Sequence, residues 1–301
     1  MFRQLAILLL SGAIALLTAA VQAETLNVRL ALSDSSPPYQ QFSAAFSKAL
    51  AASKADVAVI ESHAGEGTRI DLIVAVGLKA MELAIAKSDA PVLGVMIPRM
   101  AYEALLERRP SPQPSRTISA IYLDQPWDRQ LNFIHAALPG HKVVGLLYSP
   151  DTRIVLPRLP RGMSINAQSV LSTETLFNTL ENILDNSDVL LVTPDNEIYS
   201  SSNVRNILLT SYRHKVPLIG ISQAYVNAGA LCAIFSTPEQ IAGQTGEAIV
   251  SFARNRRLAE PQYPESFSIG LNQHVARSLG IVLDSPEAIR ERMNKAGEGR
   301  Q

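Results

Sequence analysis

Two doubly wound α/β lobes, each a parallel sheet with helices on its faces, are what this sequence predicts. Short apolar runs of the buried-strand type alternate with segments of helical period along the whole chain. These runs fall into two successive sets of about five strands. The composition, 47% hydrophobic and 18% charged over 301 residues, is that of a globular chain with room for two domains.

The first residues read as a targeting segment. Met1–Gln4 carries one basic residue, Arg3, and the apolar run Leu5–Val21 follows. Val21-Gln22-Ala23 then places small residues at the positions that signal cleavage requires. An uncleaved anchor is the alternative, but the run is near the lower limit for a spanning helix and lacks a basic stop-transfer flank. A signal peptide, residues 1–23, cleaved after Ala23 to leave an exported, periplasmic protein is therefore expected.

Leu26, Val28, Leu30 and Leu32 alternate in a first strand, and Tyr39, Phe42, Phe46 and Leu50 recur at helical spacing. Val57–Ile60, Leu72–Val76, Val92–Ile97 and Ile118–Tyr122 are further strands, with helices over Ala80–Ala86 and Ala101–Glu107. A helix from about Pro126 to Leu138, with Trp127, Leu131 and Ile134 on one face, opens the second set. Strands are predicted at Val143–Tyr148, Met163–Val170, Val189–Thr193, Leu218–Ile221 and Leu231–Phe235, with helical stretches Glu174–Leu184 and Ser202–His214 between them. Thr237 as N-cap with Pro238 at the first helical position starts a long helix to Asn255. After the Pro-rich stretch Pro261–Pro264, one more strand and helix span Phe267–Leu279.

Bulk chemistry excludes several classes. Lys+Arg 27 against Asp+Glu 27 leaves no net charge, so nothing recommends a nucleic acid partner. The single cysteine, Cys232, reads as a small buried residue. The five histidines lack metal-ligand spacing, so no metal site is expected. No Walker loop is present and no GxGxxG follows the first strand, so no cofactor is expected.

In doubly wound sheets ligands lie outside the carboxyl ends of the strands. Those ends offer Ser33, Ser35 and Ser36 after the first strand, Gly77 after the third and Arg99 after the fourth. In the second set they offer Tyr148, Asp195 with Asn196, and Ser222 with Gln223. Asp195 is suited to a ligand ammonium with Asn196 fixing orientation, although Asp and Asn also favour turns on backbone grounds alone. The serines at a helix start suit a carboxylate, and a plain polar turn is the commoner meaning. Arg99 suits a carboxylate bidentately, or a nearby acid of the protein. Tyr148, Tyr199 and Tyr225 suit stacking on a flat ligand or core packing, and Trp127 suits core packing.

Ala90–Pro98, Leu138–Pro150, Val192-Thr-Pro-Asp-Asn196, Val216–Gly220, Ala228–Leu231, Ile241-Ala-Gly243 and Gly270-Leu-Asn272 leading to Leu279-Gly-Ile281 are collinear with a known pattern. In these residues, spread over roughly 70 to 283, the sequence resembles the substrate-binding proteins of ABC transporters of the tryptophan- and tyrosine-binding type. The resemblance implies a periplasmic binding protein type I fold with three crossings between lobes. It places residues 24–122 plus 236–264 in the first lobe and 123–235 plus 265–301 in the second. It further implies a monomer without catalysis that captures a small polar ligand, an amino acid among the candidates, and delivers it to an ABC permease of the inner membrane. Two links are shorter than the family pattern. Glu61–Ile70 and the proline-containing stretch from Tyr148 to Met163 each lack the usual helix. A member that binds a different ligand, or an envelope sensor or assembly partner that kept the fold and lost transport, is the alternative these trims suggest.

An enzymatic reading rests on Gly220-Ile-Ser-Gln-Ala224, which lies between strand and helix like a nucleophile elbow, with His274 downstream as base. Its fifth position is Ala and no Asp stands between Ser222 and His274, so the expectation is no enzyme.

Overall fold

The computed structural model describes residues 25–61, 69–108, 117–152, 154, 159–172 and 174–298. The expected signal segment and residues 62–68 of the first short link lie outside the described residues. Among the described residues no helix is long and apolar enough to cross a membrane.

The first sheet comprises β1 (Leu26–Leu32), β2 (Val57–Glu61), β3 (Leu72–Val76), β4 (Val92–Ile97) and β5 (Ile118–Tyr122), with α1 (Pro37–Ser53), α2 (Leu78–Lys87) and α3 (Arg99–Glu107) between strands. The second comprises β6 (Val143–Tyr148), β7 (Ser164–Ser169), β8 (Val189–Leu191), β9 (Leu218–Gly220), β10 (Cys232–Phe235) and β11 (Ser268–Leu271). Its helices are α4 (Trp127–Ala137), α5 (Leu176–Asp185), α6 (Val204–Arg213) and α7 (Gln223–Ala228), and α8 (Pro238–Asn255), α9 (Gln273–Leu279) and α10 (Pro286–Glu298) complete the chain.

Strand order is β2-β1-β3-β4-β5 in one sheet and β11-β10-β9-β8-β6-β7 in the other, so the same winding is used twice with β11 added. All pairings are parallel except β10 with β11. The two parallel-sheet lobes expected from the sequence are present, with one antiparallel edge strand added to the second, and the cause of that edge is local. The chain leaves the second sheet at Ser236 and re-enters it at Ser266, whose carbonyl accepts the Ser236 hydroxyl at 2.6 Å. A strand that begins where its neighbour ends must run the opposite way.

β3 and β4 are buried at every position, which is why they read as unbroken apolar runs rather than alternating ones. One face of the first sheet is covered by Phe42, Phe46 and Leu50 of α1 together with Ile241, Ile249 and Phe252 of α8. Ala80, Met81 and Tyr102 of α2 and α3 cover the other. Helix α8 starts where the sequence marks it: the Thr237 hydroxyl accepts the Gln240 N–H at 3.2 Å while Gln240 Oε1 accepts the Thr237 N–H at 2.9 Å. Helix α10 was not marked by apolar periodicity, because it buries little beyond Ile289 and Met293 against the core that α4 also joins. A cap signal was nonetheless present, since Ser285 Oγ accepts the Ala288 N–H at 3.3 Å ahead of Pro286.

In both sheets the strand order reverses at the point where a doubly wound fold opens a crevice, between β1 and β3 and between β6 and β8. The first crevice is filled by the protein itself. Ser33 Oγ accepts the Ala80 N–H at 2.9 Å, and Tyr39 lies over Gly77. Gly77 has φ +84, and a Cβ there would meet the Tyr39 hydroxyl and stand 2.6 Å from Ser33 Oγ. Gly77→Ala is therefore expected to destabilise the protein by about 2 kcal/mol, combining a left-handed backbone penalty with a displaced tyrosine. Urea unfolding checks this, and an unchanged midpoint would contradict it.

The inter-lobe cleft as candidate functional site

Three crossings join the two sheets, and side chains lace them together. Gln125, just after β5, is buried and its Nε2 donates to Ser236 Oγ at 2.8 Å, tying the first crossing to the second. The Ser236 bond to Ser266 ties the second to the third. Arg129 Nη1 donates to Gln125 Oε1 and to the Pro264 carbonyl, each at 2.7 Å. The third crossing also runs beside β5, where Tyr122 N–H donates to the Gln262 carbonyl and Gln262 N–H to the Ala120 carbonyl, both at 2.9 Å.

Beside this seam lies a cavity of about 280 Å³. Arg99, Met100 and Glu103 of α3, Asp124 and Gln125 after β5, and Tyr263 of the third crossing form one wall. Trp127 and Gln130 of α4, Thr152 and Ile154 after β6, and Thr193-Pro194-Asp195 after β8 form the other. A larger groove of about 720 Å³ between α1 and α8 is lined mostly by small residues and includes no residue from a strand end.

Of the residues proposed from sequence, the cavity brings together Arg99 and Asp195. Arg99 is half committed already. Its Nε donates to Glu103 Oε1 at 2.6 Å and its Nη1 to the Tyr263 hydroxyl at 3.1 Å, and these bonds, with Tyr263 first, hold its proton more tightly than usual. The Tyr263 ring lies 5.9 Å under the guanidinium and packs edge-on against Tyr122, which packs in turn on Tyr102. That ladder fastens the start of α3 to the third crossing.

Asp195 is only 9% exposed and both of its oxygens are occupied by the protein. Oδ2 accepts the Ser149 N–H at 2.8 Å and the Thr152 hydroxyl at 3.0 Å, and Oδ1 accepts the N–H groups of Glu197 at 3.1 Å and Ile198 at 3.3 Å. Burial pushes this carboxyl up, but the bonds from Ser149, Thr152 and Ile198 outweigh burial and hold it below the ordinary value. It closes the second crevice, much as Tyr39 closes the first.

The other candidates lie elsewhere. Ser33 and Gly77 sit in the filled first crevice, and Ser35 and Asn196 are exposed outside the cavity lining. Tyr148 is half-buried at the end of β6. Tyr199 is buried in the core with α5 and α6, and Tyr225 packs against that core, where burial pushes its hydroxyl up to about 12. Gln223 is exposed and donates to Asn227 Oδ1 at 2.9 Å. Ser222 stands at the N-cap position of α7 with extended backbone, φ −161 and ψ 167, rather than in the strained turn of a nucleophile elbow. His274 Nδ1 is bonded to the Arg277 guanidinium at 3.0 Å. Burial pushes the Cys232 thiol up.

Sequence reasoning missed Asp124 and Tyr263 and placed Trp127 in the core. Trp127 does pack on the second core, but it also faces the cavity. Asp124 was findable: the strand-end rule, applied to β5 as to its neighbours, leads directly to Leu123-Asp124-Gln125. Its Oδ1 accepts the Arg99 N–H at 2.8 Å, capping α3, and burial pushes the carboxyl up to about 6 against the opposing effect of that bond and the Arg99 charge. Tyr263 carried no local signal, since its partners come from distant parts of the chain.

A chain of two parallel-sheet α/β lobes, laced through crossings beside a cavity walled from both sides, has the periplasmic binding protein type I fold. It belongs to the ABC transporter substrate binding protein family, whose family model matches residues 40–294. The structure is similar to an ABC domain from Streptococcus pneumoniae in complex with L-Trp, with 19% identity, TM-score 0.59 and 89% of this chain covering 98% of that one. It is similar also to a ligand-free, open substrate binding protein with adhesive properties from Clostridium difficile, with 17% identity, TM-score 0.64 and coverage of 87% and 97%. A conserved domain protein from Vibrio cholerae is similar at 16% identity and TM-score 0.59, with coverage of 89% and 98%. No curated protein sequence matches the chain. The family is one of substrate-binding proteins and not of enzymes.

Proposed function

We propose that the protein is the periplasmic substrate-binding component of an ABC transporter, capturing a small polar ligand in the inter-lobe cleft and presenting it to an inner-membrane permease without chemical conversion. The observation that carries this reading is the cavity of about 280 Å³ lined by polar and aromatic side chains from both walls and from the crossings themselves. Membership of a substrate-binding family supports it, as does likeness to a protein whose structure holds L-Trp. In this reading the first lobe is residues 24–122 plus 236–264 and the second 123–235 plus 265–301. The shared core of α1 and α8, and that of α4 and α10, support the division. The laced crossings serve as the hinge about which the lobes close, and the protein acts as a monomer.

The chain's single tryptophan lies in the cleft wall, so ligand capture has a built-in reporter. A screen of amino acids, amines, sugars and organic acids is expected to yield a compound that alters Trp127 emission. At a hundredfold excess over its Kd the same compound stabilises the fold by about 2.7 kcal/mol. A screen in which no compound changes either emission or melting temperature would overturn the capture function and leave an envelope sensor or assembly partner.

A further inference from the structure

The charges lining the cleft are unevenly spent. Arg99 is the one cation among the described lining residues, and it shares the lining with Glu103, Asp124 and Asp195. Its guanidinium is bonded to Glu103 and Tyr263, and Asp195 is saturated by four donors of the protein. Asp124 is different. One of its oxygens takes the backbone N–H of Arg99, its own N–H also bonds the carboxylate, and the second oxygen makes no hydrogen bond with another residue among those described. A half-buried carboxylate in the cavity lining with an oxygen free of the protein's other residues offers an acceptor that a cation arriving in the cavity would engage. Trp127 and Tyr263 add aromatic rings to the same lining, that of Tyr263 already beneath the Arg99 guanidinium. A zwitterionic ligand would in addition need a free cation for its carboxylate, and the described lining residues offer none that is uncommitted.

We propose that the cleft is built for a small organic cation, an amine lacking a compensating carboxylate, with Asp124 as the anchor of its ammonium, Glu103 as the second acid and Trp127 and Tyr263 as its walls. This assignment rests on the capture function and narrows it. It also moves the anchoring role from Asp195, which the sequence singled out, to Asp124. The ammonium needs Asp124 ionised, and burial has moved that carboxyl up to about 6. Affinity for a cation therefore falls as pH is lowered through that value. Among the described residues the other charged and titratable groups sharing the cavity are Arg99, Glu103, Tyr263 and Asp195, of which Arg99 and Tyr263 keep their protons across this range and Asp195 is held ionised.

Calorimetry and Trp127 emission with phenethylamine, phenylalanine and 3-phenylpropionate compare a cation, a zwitterion and an anion of one shape, and choline with glycine betaine repeats the comparison without a ring. The amine, or choline, is expected to bind at least tenfold more tightly than its carboxylate-bearing partners. Asp124→Asn should weaken the cation at least tenfold, the variant's fold being checked by circular dichroism, whereas Glu197→Gln, on the exposed turn outside the cavity, should not. Preference for phenylalanine, glycine betaine or 3-phenylpropionate, or equal cation binding by Asp124→Asn, would overturn the assignment while leaving ligand capture in place. If neither cation binds but a compound of another class does, the assignment again falls alone. If no compound of any class moves emission or melting, both readings fall together.

Discussion

Asp195→Ala is expected to lower folding stability by about 3 kcal/mol at neutral pH, because it strands the Ser149 and Ile198 N–H groups in buried surroundings and removes two further bonds, from Thr152 and Glu197. The loss should carry a particular pH signature. A carboxyl held below its ordinary value contributes stability that is full above the unfolded pKa of about 3.8 and is lost as pH falls through the lower, folded value. Wild type and variant should therefore converge only in strongly acidic solution. Asp195→Asn is expected to be destabilised too, since an amide cannot accept at all four sites. Urea unfolding at several pH values checks both. Unchanged stability together with a tenfold loss of ligand affinity would return Asp195 to the role of ligand anchor.

The opposite sign is expected at Asp124. Asp124→Asn should raise stability by about 2–3 kcal/mol above pH 7, the linkage equivalent of a carboxyl moved from 3.8 to about 6. The folded state holds this proton more tightly than the unfolded chain does, so wild-type stability falls as pH rises from about 4 to about 6 and stays lower beyond. The asparagine carbonyl still accepts the Arg99 N–H, which isolates the charge from the cap. The advantage of the variant should shrink as pH falls below 6 and vanish near 4. A variant less stable than wild type at pH 7.5 would show that the carboxylate earns its place by capping α3, and would remove the energetic ground for a ligand anchor there.

These two aspartates show how far the sequence could be read. Both stand shortly past the end of a buried strand, β8 for one and β5 for the other, followed by a side-chain amide and with a proline within two residues. Local pattern treats them alike. One is saturated because the loop after β6 brings Ser149 and Thr152 to it, and the other receives from the rest of the described chain only the single N–H that the start of α3 offers. Which acid is available to a ligand is decided by the packing of segments far apart in the chain.

The sequence by itself determined what depends on short-range pattern. Unbroken apolar runs marked the doubly buried strands, helical spacing marked the faces of α1 and α4, Thr237 and Pro238 marked the start of α8, and alternation of strand and helix marked a doubly wound fold twice over. These are set by side-chain periodicity and by backbone capping, which act within a few residues. Tertiary structure alone decided the antiparallel course of β11, the self-filling of the first crevice by Tyr39, and the assembly of the cleft. Its walls pair Arg99 with Tyr263, residues separated by 164 positions, and such a contact arises only when β5 and the third crossing lie side by side. Periodicity specifies which face of an element is buried, and the crossings specify what that face and its ends finally meet.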